Sequence, residues 1–279
     1  MACVKTWKLD KAGNLALLPQ PSTRTIRNLD EASKILPDGA YTSFRTFYGN
    51  RVLHLEDHIK RLEESSRLAN KPVELNDAVI RKALKQVIDH QPGEKRIRLT
   101  VDLEEQPGQL YITSEIWSPL PPESYQHGVK TITKRLHRTN PKAKLTHFIN
   151  NGKVLSLPTD VNEILMVDED DVILEGMSSN FFAVCEGKIW TEEQRVLSGI
   201  TRLLVLEIIK SRKVPVVLEG IKLQNIPCAQ EAFITSSSRG VLPVRQIDDV
   251  IVGNGKPGDV TRAIIQDYDE QIRRLAEPL

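Results

Sequence analysis

The sequence lacks long apolar runs, has few cysteines and carries almost no net charge. No stretch of its 279 residues approaches the roughly 20 apolar residues of a membrane-spanning helix, so we expect no membrane partner. The formal net charge is +1, which gives no basic surface for nucleic acid. The first residues, MACVKTWKLDKAGN, carry charges where a signal peptide has an apolar core.

The three cysteines, Cys3, Cys185 and Cys228, lie far apart and form no CxxC motif. This pattern argues against a disulfide framework and against a zinc site, and it favours reduced thiols. We therefore expect a cytoplasmic protein with no metal. Hydrophobic residues make up 40% and charged residues 27% of the chain, which is typical of a soluble globular protein with a real core.

Apolar periodicity predicts helices over 51–69, 75–89, 200–213 and about 259–276, and strands over 96–103 and 109–117. SPLPPES, at 118–124, holds three prolines and is the best candidate for a linker. We predict an N-terminal domain over 1–118, a linker over 119–125 and a C-terminal domain over 126–279. Both parts mix strands and helices without regular βαβ alternation, which predicts a mixed α/β (α+β) fold.

Two segments have the features of anion sites. FITSSSRGVLPV, at 233–244, places three serines, an arginine and a glycine between two apolar runs. VLSGITRLLVLEII, at 196–209, starts a helix at Ile200 and Thr201, where unpaired N–H groups attract phosphate. Taken alone, a solvated turn is the favoured explanation of the first segment and an ordinary capped helix start that of the second, and the sequence has no P-loop motif.

Five segments, taken in order, resemble the class IV (fold-type IV) pyridoxal-phosphate enzymes, which include branched-chain and D-amino acid aminotransferases and 4-amino-4-deoxychorismate lyase. They are HLEDHIKRL (54–62), NPKAK (140–144), LEGMSSNFF (174–182), LSGITR (197–202) and TSSSRGVLPV (235–244). The resemblance implies pyridoxal 5'-phosphate as cofactor, a smaller N-terminal α/β domain, a larger C-terminal pseudo-barrel domain and a homodimer.

By this resemblance Lys144 holds the cofactor as a Schiff base, a reaction that needs a neutral amine; Lys142 and Lys153 are the neighbouring alternatives. Glu175 corresponds to the carboxylate that faces the pyridine nitrogen. The residues implied for the phosphate are Arg61, Ile200, Thr201 and Ser237. Those implied for the substrate are Tyr41, Thr42, Arg98, Ser237 and Ser238.

The sequence departs from the family pattern near the substrate. Thr42 stands where many family aminotransferases have glutamate, and the lyase branch tends to have a threonine pair there. The tyrosine that often follows the catalytic lysine is missing, and His147 is the nearest polar residue. The first hypothesis is a transaminase acting on an amino acid and a 2-oxo acid. The alternatives are the lyase and a degenerate cofactor-binding protein without activity.

Overall fold

The computed structural model describes residues 4–22, 25–151 and 157–279. In chain order the strands are β1 (Lys5–Leu9), β2 (Leu15–Leu17), β3 (Gly39–Phe47), β4 (Arg51–Val52), β5 (Lys95–Asp102), β6 (Leu110–Ile116), β7 (Val129–Arg135), β8 (Val161–Val167), β9 (Ile173–Gly176), β10 (Asn180–Cys185), β11 (Lys188–Trp190), β12 (Val216–Val217), β13 (Glu231–Ser236), β14 (Gly240–Ile247), β15 (Val250–Ile251) and β16 (Glu277–Pro278). The helices are α1 (Leu29–Ser33), α2 (Leu55–Leu68), α3 (Asp77–Asp89), α4 (Pro122–His127), α5 (Thr146–Asn151), α6 (Ile200–Ser211) and α7 (Asp259–Leu275), with a 3-10 helix over Leu223–Cys228.

The described residues group into two compact units. The first comprises residues up to Ser118 together with 143–154 and 275–279, and the second comprises 119–142 and 155–274. The contiguous division predicted from the sequence assigns 143–154 and 275–279 to the C-terminal domain instead. That division into folding domains stays a prediction, because compactness alone does not test which segments fold independently.

The first unit is built on an antiparallel sheet. Within the described residues its strand order is β16-β4-β3-β5-β6-β1-β2. The amphipathic helices α2 and α3 bury apolar side chains such as Leu55, Leu62 and Leu84 with those of the sheet. The periodicity predicts a helix from Arg51, whereas α2 begins at Leu55, because Arg51 and Val52 pair with β3 as strand β4.

The second unit contains a sheet that closes on itself. In the described part of the chain its strand order is β12-β11-β10-β13-β14-β7-β8-β9, and β15 pairs with β14. Strand β9 pairs with β8 and also with β10, so the strands from β10 to β9 form a ring. The closing pair is Glu175 with Asn180, which places two residues of the LEGMSSNFF segment at the seam. Buried apolar residues of these strands, including Leu165, Phe181 and Leu242, form the core.

Helix α4 begins inside the predicted linker and extends past its end to His127. The prolines of SPLPPES do not exclude it, since Pro122 stands at the first helical position, where the missing N–H would have no partner. Helices α6 and α7 follow the predicted periodicity. Among the described residues, no helix is long and apolar enough to cross a membrane.

Candidate functional site

Lys144 has a tightly held backbone in the first unit. Its N–H donates to Oγ of Ser65 at 3.1 Å, and its carbonyl accepts a hydrogen bond from the N–H of Tyr41 at 2.9 Å. Leu145 pairs with Ala40 in an antiparallel bridge. The lysine peptide is therefore fixed to both α2 and β3. Its Nζ lies 4.8 Å from the centroid of the Tyr41 ring, a cation–π distance.

The residues after Lys144 are also anchored to the start of β3. The Thr146 hydroxyl accepts a hydrogen bond from the N–H of Gly39 at 2.8 Å and donates to Oδ1 of Asp38 at 2.9 Å. Gly39 has no room for a side chain, since a Cβ there would lie 1.8 Å from the carbonyl oxygen of Val101. The Lys144 segment therefore depends on a close backbone approach at Gly39.

Arg61, Thr42 and His58 form a buried hydrogen-bonded chain in the same unit. Nη2 of Arg61 donates to Oγ1 of Thr42 at 2.5 Å, and that hydroxyl lies 2.7 Å from Nδ1 of His58. Burial, and then the charges of Arg61 and Lys144, hold the pKa of His58 well below its usual value. His58 is therefore neutral. Nη2 of Arg61 also lies 3.3 Å from Nδ1, and a guanidinium can only donate, so Nδ1 is the acceptor, the Thr42 proton points to it and the imidazole proton lies on Nε2.

The guanidinium of Arg61 retains capacity for an anion. Its Nε is buried and has no hydrogen-bond partner among the described residues, and its recorded hydrogen bonds go to the neutral groups Thr42 and His58. Burial lowers the pKa of Arg61 to about 10, which leaves it charged at neutral pH. A buried cation satisfied only by neutral groups is well placed to bind phosphate.

Arg98 lies beside the Tyr41 ring, and its guanidinium is hydrogen-bonded within the protein. Its Cζ is 4.7 Å from the centroid of the Tyr41 ring. Its guanidinium donates to Oδ1 of Asp30 at 2.7 Å and to Oγ of Ser33 at 2.6 Å, and Nε donates to Ser43. Arg98 therefore anchors α1 to β5 in this conformation. Its predicted contact with a substrate carboxylate stays a prediction, and it would require an exchange of the Asp30 ion pair.

Glu175 is buried in the second unit with a complete set of partners. Its Oε1 accepts from Nε of Arg138 at 3.0 Å, and its Oε2 accepts from Nδ2 of Asn180 at 2.9 Å. The N–H of Leu197 lies 3.3 Å from Oε2. The carboxylate is thus an ion-paired group at the seam of the ring and not a surface turn residue.

The start of α6 lies next to the same seam. Gly199 precedes the helix, and a Cβ there would lie 2.1 Å from Oδ1 of Asn180, so only glycine fits. No side chain from this position caps the first turn of the helix. Ile200 and Thr201 are buried, and the N–H groups of this first turn suit an anion.

The TSSSRG segment forms the hairpin loop between β13 and β14. Ser236 pairs with Gly240, so Ser237, Ser238 and Arg239 make the loop. Gly240 has a φ of +65°, a left-handed conformation that favours glycine. Ser237 and Ser238 are half-buried. The loop is therefore ordered by the hairpin geometry and not merely a solvated connection.

Comparison with known proteins identifies the family. Residues 39–247 match the family described as amino-transferase class IV. The chain belongs to this family. It is 28% identical over 251 residues to a Methanocaldococcus jannaschii protein provisionally named a branched-chain-amino-acid aminotransferase, covering 84% of this chain and 86% of the relative. It is 26% identical over 242 residues to D-alanine aminotransferase of Bacillus licheniformis, covering 81% of this chain and 85% of that relative.

Solved structures confirm the mixed α/β, fold-type IV architecture of this class IV aminotransferase. A Thermotoga maritima protein, provisionally named a branched-chain amino acid aminotransferase, aligns with a TM-score of 0.79 at 24% identity, covering 98% of this chain and 97% of that one. The branched-chain amino acid aminotransferase of T.th., with pyridoxamine 5'-phosphate, aligns with a TM-score of 0.77 at 22% identity, covering 96% and 93%. Another structure of that enzyme contains 4-methylvaleric acid.

Class IV aminotransferases are pyridoxal-phosphate-dependent transaminases, and the residues of this chain fit the cofactor. The decisive observation is the buried Nε of Arg61, which has no partner among the described residues. Oγ1 of Thr235, on the strand that leads to the hairpin loop, is likewise buried without a partner there. Gly199 lets Asn180 approach the start of α6, and no side-chain hydrogen bond caps that first turn.

The structure brings Tyr41, Thr42, Arg61, Arg98 and Lys144 into the first unit. Glu175, Ile200, Thr201, Ser237 and Ser238 lie in the second. Of the lysines considered as alternatives, Lys142 donates to the carbonyl of Glu193, and Lys153 lies outside the described residues. His147, the polar residue nearest to the missing tyrosine, is mostly exposed.

Sequence reasoning missed four residues. Arg138 pairs with Glu175, and His58 bonds Thr42. Glu163 and Arg239 form a further ion pair at 2.8 Å. His58 and Arg239 stand inside quoted motifs, so a signal existed for them. Arg138 and Glu163 have no local signal, since their partners are far away in the sequence.

Proposed function

We propose that this class IV aminotransferase moves amino groups between aliphatic amino acids and 2-oxo acids. The observation that carries the chemistry is Arg61, a buried cation whose recorded partners are neutral and whose Nε is left without one among the described residues. The aliphatic substrate class is supported by the relatives, which are named for branched-chain amino acids and D-alanine.

We assign the residues as follows. Lys144 forms the covalent bond to pyridoxal 5'-phosphate, and Arg61, the first turn of α6 (Ile200 N–H and Thr201) and Ser237 hold its phosphate. Glu175 faces the pyridine nitrogen. The cofactor supplies an electron sink for the pair left when the Cα–H bond of the substrate breaks. Nζ of Lys144, once released, would take the Cα proton as a general base and deliver it to the C4′ carbon of the cofactor as a general acid.

Substrate contacts are assigned to Tyr41 and to the loop of Ser237 and Ser238, whose backbone N–H groups suit a carboxylate. The hydroxyl of Thr42 is occupied by Arg61 and His58, so we assign it to the orientation of Arg61. The lyase alternative keeps the support of Thr42, which resembles the threonine of that branch, and a half-reaction decides between the two. The missing tyrosine after Lys144 keeps the degenerate alternative open, and the presence of Lys144, Glu175 and Thr201 argues against it.

A half-reaction tests transamination without knowledge of the natural substrates. The purified protein should be yellow, and a good amino donor without a 2-oxo acid should bleach the visible absorbance. Addition of a 2-oxo acid should restore the colour. A panel of L- and D-amino acids identifies the donor and its stereochemistry. Failure to bleach with the whole panel, combined with 4-aminobenzoate formation from aminodeoxychorismate, would establish the lyase instead.

The same proposal includes a cytoplasmic homodimer. The two cysteines in the described residues, Cys185 and Cys228, are free thiols, as expected in a reducing compartment. The dimer is expected from the family. Light scattering on the active protein checks it, and full activity in a monomeric fraction would reject it.

A further inference from the structure

Arg239, the arginine of the TSSSRG loop, uses every nitrogen of its guanidinium inside the second unit. Nε donates to Oγ of Ser236 at 3.2 Å, and Nη1 donates to Oδ1 of Asn162 at 3.1 Å. Nη2 donates to Glu163 and to Oγ of Ser178, both at 2.8 Å. A guanidinium engaged in this way holds parts of the protein together and does not itself bind substrate.

Glu163, the ion-pair partner of Arg239, is buried on strand β8. Its Oε2 accepts from Arg239, from Oγ of Ser178 at 2.6 Å and from Oγ of Ser179 at 3.0 Å. Gly176 is required for this approach, since a Cβ there would lie 2.2 Å from Oγ of Ser179 and 2.9 Å from Cγ of Glu163. The carboxylate thus joins two turns, 177–179 and 237–239, that are distant in the sequence.

The backbone of the hairpin loop is fixed from the other side as well. Oη of Tyr125 donates to the carbonyl of Arg239 at 2.9 Å. A Cβ on Gly240 would lie 2.9 Å from Cε1 of Tyr268. With Arg239 held at its carbonyl and at its guanidinium, the two serines that precede it have little freedom to move.

We propose that Glu163 and Arg239 are positioning residues that hold the Ser237–Ser238 loop in the shape that binds the substrate carboxylate. The inference rests on the proposed function, which assigns that loop to the substrate. Preorganised N–H groups bind an anion without the cost of ordering a mobile loop, and small misplacements of such groups weaken a site strongly. The ion pair therefore acts on substrate affinity, while Lys144 and Glu175 act on the reacting atoms.

The test measures binding of 4-methylvaleric acid to the cofactor-loaded protein by calorimetry. This acid has the carboxylate of an aliphatic substrate and no amino group, so it cannot react. Arg239→Met should weaken its binding by roughly tenfold or more and raise the KM for the amino donor more than it lowers kcat. Cofactor content should stay at the wild-type level. Arg245→Met is the matched control, since Arg245 is exposed on β14, the strand that follows the loop, and this variant should bind the acid as tightly as the wild-type protein.

A double-mutant cycle tests whether the two residues act as one unit. Glu163→Gln should weaken binding in the same way, and the Glu163→Gln/Arg239→Met double variant should bind about as well as the weaker single variant. Independent, multiplying effects would overturn the proposal. If Arg239→Met does not fold, Arg239→Lys, which keeps the charge but loses the planar fork, should show the same loss.

The outcomes separate this inference from the proposed function. A wild-type protein that neither retains pyridoxal phosphate nor transaminates would reject the proposed function. A wild-type protein that does both, with Arg239 and Glu163 variants that bind the acid as tightly as Arg245→Met, would reject the inference alone.

Discussion

Oε1 of Glu175 lies 3.0 Å from Nε of Arg138, and both side chains are buried. The two residues are 37 positions apart in the chain, and the fold alone brings them together. A buried ion pair with this geometry fixes the direction of the carboxylate. Arg138 therefore orients Oε1 of Glu175, while Asn180 and the N–H of Leu197 hold Oε2.

Glu175→Gln should retain the cofactor but transaminate at least about a hundredfold more slowly, the scale of a lost electrostatic contact in an active site. The reason is that the amide cannot supply a negative charge to the pyridine nitrogen. The rate of bleaching by a good donor in a single turnover measures the effect. Glu192→Gln is the control, since Glu192 is also buried and paired with an arginine, Arg195. Equal rates in both variants would leave Glu175 a structural role only.

Arg61→Ala should release the cofactor on dialysis when the wild-type protein retains it. A charge-assisted hydrogen bond contributes about 1.5–3 kcal/mol, which corresponds to roughly ten- to hundredfold in affinity. Lys60→Ala removes the neighbouring positive charge, which pairs with Glu56 on the exposed face of α2, and should not change retention. If both variants retain the cofactor equally, Arg61 does not hold the phosphate.

The stability of the protein should fall as the pH decreases below about 6.5, the usual pKa of histidine, because of His58. Its pKa is lowered by burial in the folded state, so the unfolded chain binds the proton first. One such proton contributes up to about 1.4 kcal/mol per pH unit. Denaturant unfolding at several pH values gives the slope of the free energy of unfolding against pH, and this slope should be smaller for His58→Gln. His147→Gln, at a mostly exposed position, should keep the wild-type slope, and an unchanged slope in His58→Gln would contradict the assignment.

Arg98→Met should destabilise the protein by about 1–3 kcal/mol. The substitution leaves Oγ of Ser33 without its donor and the carbonyl of Leu29 with the Ser33 hydroxyl but without Arg98, and α1 loses its anchor. Arg67→Met on α2 removes an ion pair with Glu64 that is exposed on both sides and should cost less. Thermal unfolding compares the two. A KM that rises for glutamate but not for leucine in Arg98→Met would support the predicted substrate contact in addition.

The sequence predicts those features that depend on local pattern. Apolar spacing locates α2 and α3, and the motif order locates the family, which the comparisons confirm. Strand β4 is missed because two residues, Arg51 and Val52, are too few to show an alternation of apolar and polar side chains. They form a strand only by pairing with β3. The ring in the second unit follows from the resemblance and not from periodicity, because its closure depends on a single pair, Glu175 with Asn180.

The hydrogen-bond partners of the site residues likewise cannot be predicted from local sequence pattern. The LEGMSSNFF segment predicts Glu175 but not its partner Arg138. The HLEDHIKRL segment contains His58 but does not reveal that Thr42 bonds it. The resemblance implies that Thr42 faces substrate, which stays a prediction, and it does not reveal that the Thr42 hydroxyl bonds Arg61 and His58. Such contacts join residues from different strands and helices, so no spacing rule along one segment can predict them.

Reduction of the yellow protein with borohydride should place the pyridoxyl group on Lys144, as peptide mapping can show. Ser65, Tyr41 and Ala40 hold the backbone of this lysine segment, whereas Nζ of Lys142 is directed to the carbonyl of Glu193. Lys144→Ala should therefore lose the label and the activity, and Lys142→Ala should keep both. A label on Lys142 or Lys153 would overturn the assignment, because the anchoring of Lys144 would then serve the fold and not the reaction.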